Sequence, residues 1–222
     1  MQKPNRFLRI LAVVLLSLSA PFTLLGGAGT TCIAFRPENF GAKWAPFIAI
    51  KPIMQVLVVV SLLAGVFGVY AIVKLARGRR GAYTWAVAFL LVAGLASAVQ
   101  YSYSLALRGS TAPNNMRLYV TLFTLAVLLL MRLPGIWQRT GFEGKMSAGD
   151  LRSGGGLALI LCGGITLTTP LWAAPTHLVD GYNTANVLFW PLTVGGLLLL
   201  AAGAALLIPR TAARRVPVPA ES

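Results

Sequence analysis

The sequence predicts an all-α, polytopic transmembrane helical bundle of six spans with the N- and C-termini cytoplasmic. Three observations carry this expectation. Hydrophobic residues make up 57% of the 222 and charged residues 11%, against about 45–50% and about 25% in soluble domains. The apolar residues gather into runs that carry no charge, each near the ~20 residues a membrane helix needs. The 19 Lys and Arg, set against 5 Asp and Glu, fall unevenly on alternate connections. Disorder is excluded, since it needs low hydrophobicity and high charge density. A formal charge of +14 alone would admit a nucleic-acid partner, but that class rarely carries such apolar runs, and none is expected.

The elements follow in order, residues 1–209 forming one transmembrane domain. The first span runs from about Phe7 to Gly27, behind Lys3, Arg6 and Arg9. Its basic start and apolar centre resemble a cleavable signal. However, the apolar stretch continues past Ala20, Pro21 sits badly after a cut, and Gly29-Thr30-Thr31 before Cys32 matches a lipoprotein box poorly. Retention is expected. The second span runs from Ile53 to Val73, behind Lys51-Pro52, and the third from Tyr83 to Leu105. The fourth, Arg117 to Trp137, has a charge-free core, Leu118–Met131, of only 14 residues. That is short of the ~17 usually required, so Arg132 must snorkel to the interface. Arg132 is thus the one basic residue expected below the surface. The fifth span covers Gly155–Trp172 and the sixth Val187–Ile208, and the basic, proline-interrupted tail 210–222 should be flexible.

With the N-terminus inside, fourteen basic residues fall on inner segments and five (Arg36, Lys43, Lys51, Arg108 and Arg117) on outer ones. The bias agrees at every connection, as the positive-inside rule requires, and faces the basic surface to anionic inner-leaflet lipid. Pairs such as Ala64/Gly68, Gly94/Ala98, Ala158/Cys162 and Ala201/Ala205 allow close helix approach and read as general bundle packing. No internal repeat supports an inverted-repeat transporter.

Chemistry has few places to live. No Asp or Glu falls within a predicted span, which weighs against ion-coupled transport. Uncharged polar groups instead concentrate in the outer half. Ser97, Gln100, Tyr101 and Ser104 share one face of the third span by their spacing. Thr121 and Thr124 lie a turn apart on the fourth, Thr166, Thr168 and Thr169 end the fifth, and Gln55 opens the second. This pattern predicts an outward-facing polar cavity among spans two to five. Above it would lie one loop carrying Arg36, Glu38, Phe40, Lys43 and Trp44, and another running from Arg108 to Arg117. Arginine suits carboxylate or phosphate and aromatic rings suit an apolar body, so the expected ligand is an amphipathic anion. The plainer alternative is that Ser and Thr bond their own backbone and that Trp and Tyr form the interfacial belt. Gln100 fits that alternative least, because an unpaired amide in lipid is costly.

His177 and Asp180 offer two metal-ligand types at a common spacing, weak evidence for a site; an ordinary loop histidine explains them better. Cys32 and Cys162 stand in no metal or redox spacing, there is no GxSxG, and Gly154-Gly155-Gly156 lacks the context of a phosphate loop. No cofactor, metal or catalytic residue is expected. The sequence therefore points to a non-enzymatic accessory or assembly subunit, or a lipid- or small-ligand-binding module, of a prokaryotic inner membrane. Its partners would be membrane lipids and, in the accessory reading, other membrane subunits. The alternative is a facilitator of a small anionic or amphipathic solute. An outer-leaflet enzyme using Arg108, Arg117, His177 and Asp180 comes third.

Overall fold

A computed structural model describes residues 5–111, 114–142, 144–173, 178–179, 182–183 and 188–208. Its helices are α1 (Arg6–Phe35), α2 (Lys51–Ala76), α3 (Ala82–Arg108), α4 (Asn114–Leu130), α5 (Pro134–Thr140), α6 (Ala148–Ala173) and α7 (Phe189–Leu207). Two short 3-10 turns, Pro37–Phe40 and Ala42–Ile48, link α1 to α2. Leu178–Val179 pairs antiparallel with Tyr182–Asn183 in a two-residue ladder. Five helices are long and apolar enough to cross a membrane, or six if α4 and α5 count as one bent span. Apart from that ladder the described elements are all helical, with helices that suit a membrane protein.

Helices α1 to α4 close into a ring in which each packs against the next and α4 returns to α1. Helix α6 docks outside this ring on α1, and α7 packs on α6. Alternate helices run in opposite directions, so one end of the bundle gathers the starts of α1, α3 and α6. We call this the amino-terminal end. There Asn5 N–H donates to Arg139 O at 2.7 Å, Met146 N–H to Ala76 O at 3.1 Å, and Arg6 Nε meets Asp150 Oδ1 at 2.5 Å. The outward faces of the ring helices are apolar, with Val56, Leu63, Val66, Leu91 and Leu95 all exposed. Such continuous exposure fits lipid rather than water as the surrounding medium.

Three boundaries differ from those the sequence predicts. Helix α1 continues about two turns beyond Gly27, because Gly26 and Gly27 are contact points and not an exit. A Cβ on Gly27 would lie 3.1 Å from Ser61 Cβ, and Thr30 and Thr31 hydroxyls bond back to Gly26 and Gly27 carbonyls. The fourth span is broken. Helix α4 ends at Leu130 and α5 leaves it at 100°, since Pro134 disfavours helical backbone at Leu133, which is extended with ψ 139°. Helix α6 starts at Ala148, ahead of Gly155, because Ser147 Oγ accepts the Asp150 N–H at 3.0 Å and caps it. Asp150 thus stands in the first helical turn, where a carboxylate favours the helix dipole.

Pro21 interrupts no helix, yet its missing N–H frees the Ser17 carbonyl four residues earlier. The Cys162 thiol of α6 lies 3.9 Å from that oxygen. Small residues also fix the α6–α7 pair. A Cβ on Gly156 would stand 2.9 Å from Gly203 O, and one on Gly163 2.8 Å from Gly196 O. Two glycines seven residues apart on each antiparallel helix bring the backbones together.

The interior is layered. At the amino-terminal end Leu16, Leu75, Phe89, Leu90, Leu128 and Met131 form one apolar cluster. Towards the opposite end Ala34, Phe47, Met54, Val58 and Ala96 form another. Buried polar side chains lie between them.

Candidate functional site

The polar layer is built by four helices. Helix α3 contributes Ser97, Gln100 and Ser104 at helical spacing, all buried. Helix α4 contributes Asn114, Arg117, Thr121 and Thr124, α1 contributes Ser19 and Thr23, and α2 contributes Ser61. Arg117 is only 3% exposed and Gln100 is fully buried. The Arg117 guanidinium donates to Gln100 Oε1 through Nη2 and approaches Ser61 Oγ at 3.4 Å through Nη1. Asn114 Nδ2 donates to Ser104 Oγ at 3.0 Å, and Ser19 Oγ and Thr124 Oγ1 lie 2.8 Å apart.

Several hydroxyls also turn onto their own helix. Ser97 Oγ donates to Ala93 O at 2.6 Å, Thr23 to Ser19 O at 2.8 Å and Thr124 to Val120 O at 2.7 Å, the local bonding open to Ser and Thr. Gln100 Nε2, Arg117 Nε and Thr121 Oγ1 are buried and make no hydrogen bond among the described residues. Gly26 makes room for the guanidinium, since a Cβ there would lie 2.9 Å from Arg117 Cδ.

A buried guanidinium is strongly disfavoured unless it is paired and hydrogen-bonded. The ion pairs of the described residues are Arg6–Asp150 and Lys51–Glu38, so Arg117 faces neutral acceptors only. The basic side chains below the surface are Arg117 and Arg9. Arg117, expected on an outer segment, is thus buried inside the bundle instead. Arg132 is exposed at the α4–α5 bend, because the break in the helix carries it out of the bundle. Arg9 donates to the Gly144 carbonyl and, at 3.4 Å, to Lys145 O, tying α1 to the loop before α6.

The remaining predicted site residues are placed differently. Tyr101 is half-buried at the edge of the α3 stripe, its ring 6.4 Å from that of exposed Tyr119. Gln55 is half-buried, and Ser61 is the buried polar residue of α2. Arg108 lies over the Trp44 ring at 4.2 Å and donates to Ser110 O at 3.3 Å, at the bundle end opposite the amino-terminal one. Arg36 caps α1 and is exposed. Thr166, Thr168 and Thr169 donate to the carbonyls of Cys162, Gly164 and Ile165. They close on α6, which stands outside the ring, and α1 takes the place expected for the fifth span. His177 and Asp180 lie outside the described residues.

Sequence reasoning missed Ser19, Thr23 and Gly26. The signal was present: Ser19 and Thr23 stand one turn apart in a mostly apolar helix, and Gly26 follows three residues later. Among the described residues no three His, Cys, Asp or Glu side chains gather as a metal site, and both cysteines are free. Outside the spans, Glu38 is held below the usual carboxylate range by a backbone hydrogen bond and by Lys51 3.4 Å away. Comparison with protein-family models, with curated proteins and with solved structures finds no match to this chain.

Proposed function

We propose that this protein is a multi-pass, non-enzymatic binding module that takes the anionic group of a small or amphipathic ligand into the polar layer between α1 and α4. The observation that carries the reading is Arg117, buried with no carboxylate beside it among the described residues. Its Nε, Gln100 Nε2 and the Thr121 hydroxyl are without partners among the described residues. A charged residue at membrane depth marks a functional site by default. A guanidinium whose Nε–H is without a partner among the described residues offers a donor to a carboxylate or phosphate. Bound there, the anion would neutralise the charge, and the Gln100 amide would supply a further donor.

Binding is favoured over passage. The apolar cluster from Leu16 to Met131 stands between the layer and the amino-terminal end. The charge distribution supports an orientation with that end in the cytoplasm. The compact, Arg-, Ala-, Gly- and Leu-rich chain supports a prokaryotic inner membrane.

The test is thermal unfolding of detergent-purified protein with sodium acetate, sodium decanoate or inorganic phosphate. At least one anion should raise the Tm of the wild type saturably and leave Arg117→Met unmoved. Equal shifts in both proteins would refute the assignment. Transport instead of binding would require solute uptake into proteoliposomes that Arg117→Ala reduces while the protein stays folded.

A further inference from the structure

The geometry points to a second anion site, separate from the α1–α4 layer: a phosphate-binding pocket at the α4–α5 bend. This pocket, of about 300 Å³, lies at the amino-terminal end of the bundle and is lined by Arg79, Tyr83, Thr84, Arg132, Trp137 and Phe142. No carboxylate is among its described lining residues.

Each wall has an identifiable origin. Arg79 comes from the turn between α2 and α3, and Tyr83 and Thr84 from the first turn of α3, where the helix dipole favours an anion. Trp137 comes from α5, which the break before Pro134 swings back across the start of α3. The rings brace one another: Tyr83 to Trp137 at 4.9 Å, Trp137 to Phe142 at 5.7 Å and Tyr83 to Phe142 at 6.2 Å. Tyr83 Oη donates to Leu128 O at 3.2 Å, which ties the cluster to the end of α4.

The Arg132 guanidinium lies 4.2 Å from the Trp137 ring centroid and 5.6 Å from that of Tyr83. Stacking fixes the plane of the group and leaves its N–H edge for an acceptor. Two arginines, a hydroxyl and a helix start around an open pocket match the oxygens of a phosphate.

The ligand class follows from the surroundings. Helix α5 leaves α4 at 100°, so with α4 crossing the membrane α5 runs along its surface, at headgroup depth. Leu129, Leu130 and Leu133 beside Arg132 are all about half exposed and offer a path for an acyl chain down α4. The favoured source of the phosphate is therefore an anionic phospholipid headgroup. A small soluble phosphomonoester shares the chemistry but would leave the leucine path uncovered.

Native mass spectrometry of the full chain in mild detergent tests this, with palmitoyl-oleoyl phosphatidylglycerol as probe and phosphatidylcholine as comparison. Inorganic phosphate and glycerophosphate serve as soluble arms. Phosphatidylglycerol should bind in preference to phosphatidylcholine, and Arg79→Gln and Arg132→Gln should each weaken it about fivefold. Arg80→Gln, an equal loss of charge at an exposed neighbour outside the pocket, should leave binding unchanged. Arg132→Lys keeps the charge but not the planar edge, and should restore only part of the loss.

Displacement of the lipid by millimolar glycerophosphate would assign the same site to a soluble phosphate. Wild-type binding by the Arg79→Gln/Arg132→Gln double variant would overturn the site. So would an equal loss in Arg80→Gln, since adhesion would then depend on net charge alone.

Discussion

The Arg117 guanidinium donates to the side-chain oxygen of Gln100 in the interior of the α1–α4 ring, and Arg117 has no carboxylate partner there among the described residues. Each compensates the other only in part. Gln100 supplies an acceptor for Arg117, while its own amide nitrogen stays unpaired. An amide and a guanidinium kept together in this state cost folding free energy that an apolar pair would not.

That relationship predicts a sign pattern across a double-mutant cycle. Gln100→Leu should destabilise the protein by about 3 kcal/mol, because the buried charge loses its main acceptor. The double variant Gln100→Leu/Arg117→Met should recover wild-type stability or exceed it by about 1–4 kcal/mol, as buried charges replaced by apolar groups often do. Reversible unfolding in mixed micelles measures all four proteins. A double variant less stable than Gln100→Leu would show that the pair is chiefly structural.

Helix α7 depends on the glycine contacts of α6. Gly163→Val should cost about 1–3 kcal/mol by overpacking, since its Cβ would meet Gly196 O at 2.8 Å. A Cβ on the adjacent Gly164 would meet nothing within 4 Å, so Gly164→Ala should be neutral or gain up to about 1 kcal/mol from helix propensity. Hydrogen exchange across 189–207 reports the difference: faster in the first variant, unchanged in the second.

Acid should weaken the tie between the first loop and α2. The Glu38 carboxyl is held below its ordinary range in the folded protein. Its contribution is therefore present above the unfolded-state value and lost as pH falls through the folded one. The Tm advantage of wild type over Glu38→Gln should be small, because the pair with Lys51 is exposed. It should shrink as the pH drops below the usual carboxylate range. An advantage that grows with acid would contradict this sign.

The orientation proposed from the basic residues is open to thiol labelling. Cys32 is exposed at the end opposite the amino-terminal one, so the native protein should react with an impermeant maleimide from outside intact cells. In a Cys32→Ser background, Ser110→Cys should label from outside and Ser147→Cys only after permeabilisation. The reverse pattern would invert the proposed topology.

The helical membrane class was legible in the chain alone, because charge-free apolar runs and alternating basic connections are local properties. The i, i+3, i+7 spacing of Ser97, Gln100 and Ser104 likewise placed them on one face without any knowledge of neighbours. What that face meets is a matter of tertiary packing. Gly26 reads in sequence as the end of a span, yet it makes room for Arg117, and Thr166 reads like Thr121 but turns onto its own helix outside the ring. Arg117 itself stands at a predicted helix start, counted with the basic residues of the outer segments. The closure of α1 against α4 buries it instead, and burial depends on which helices become neighbours, a relationship no stretch of sequence contains.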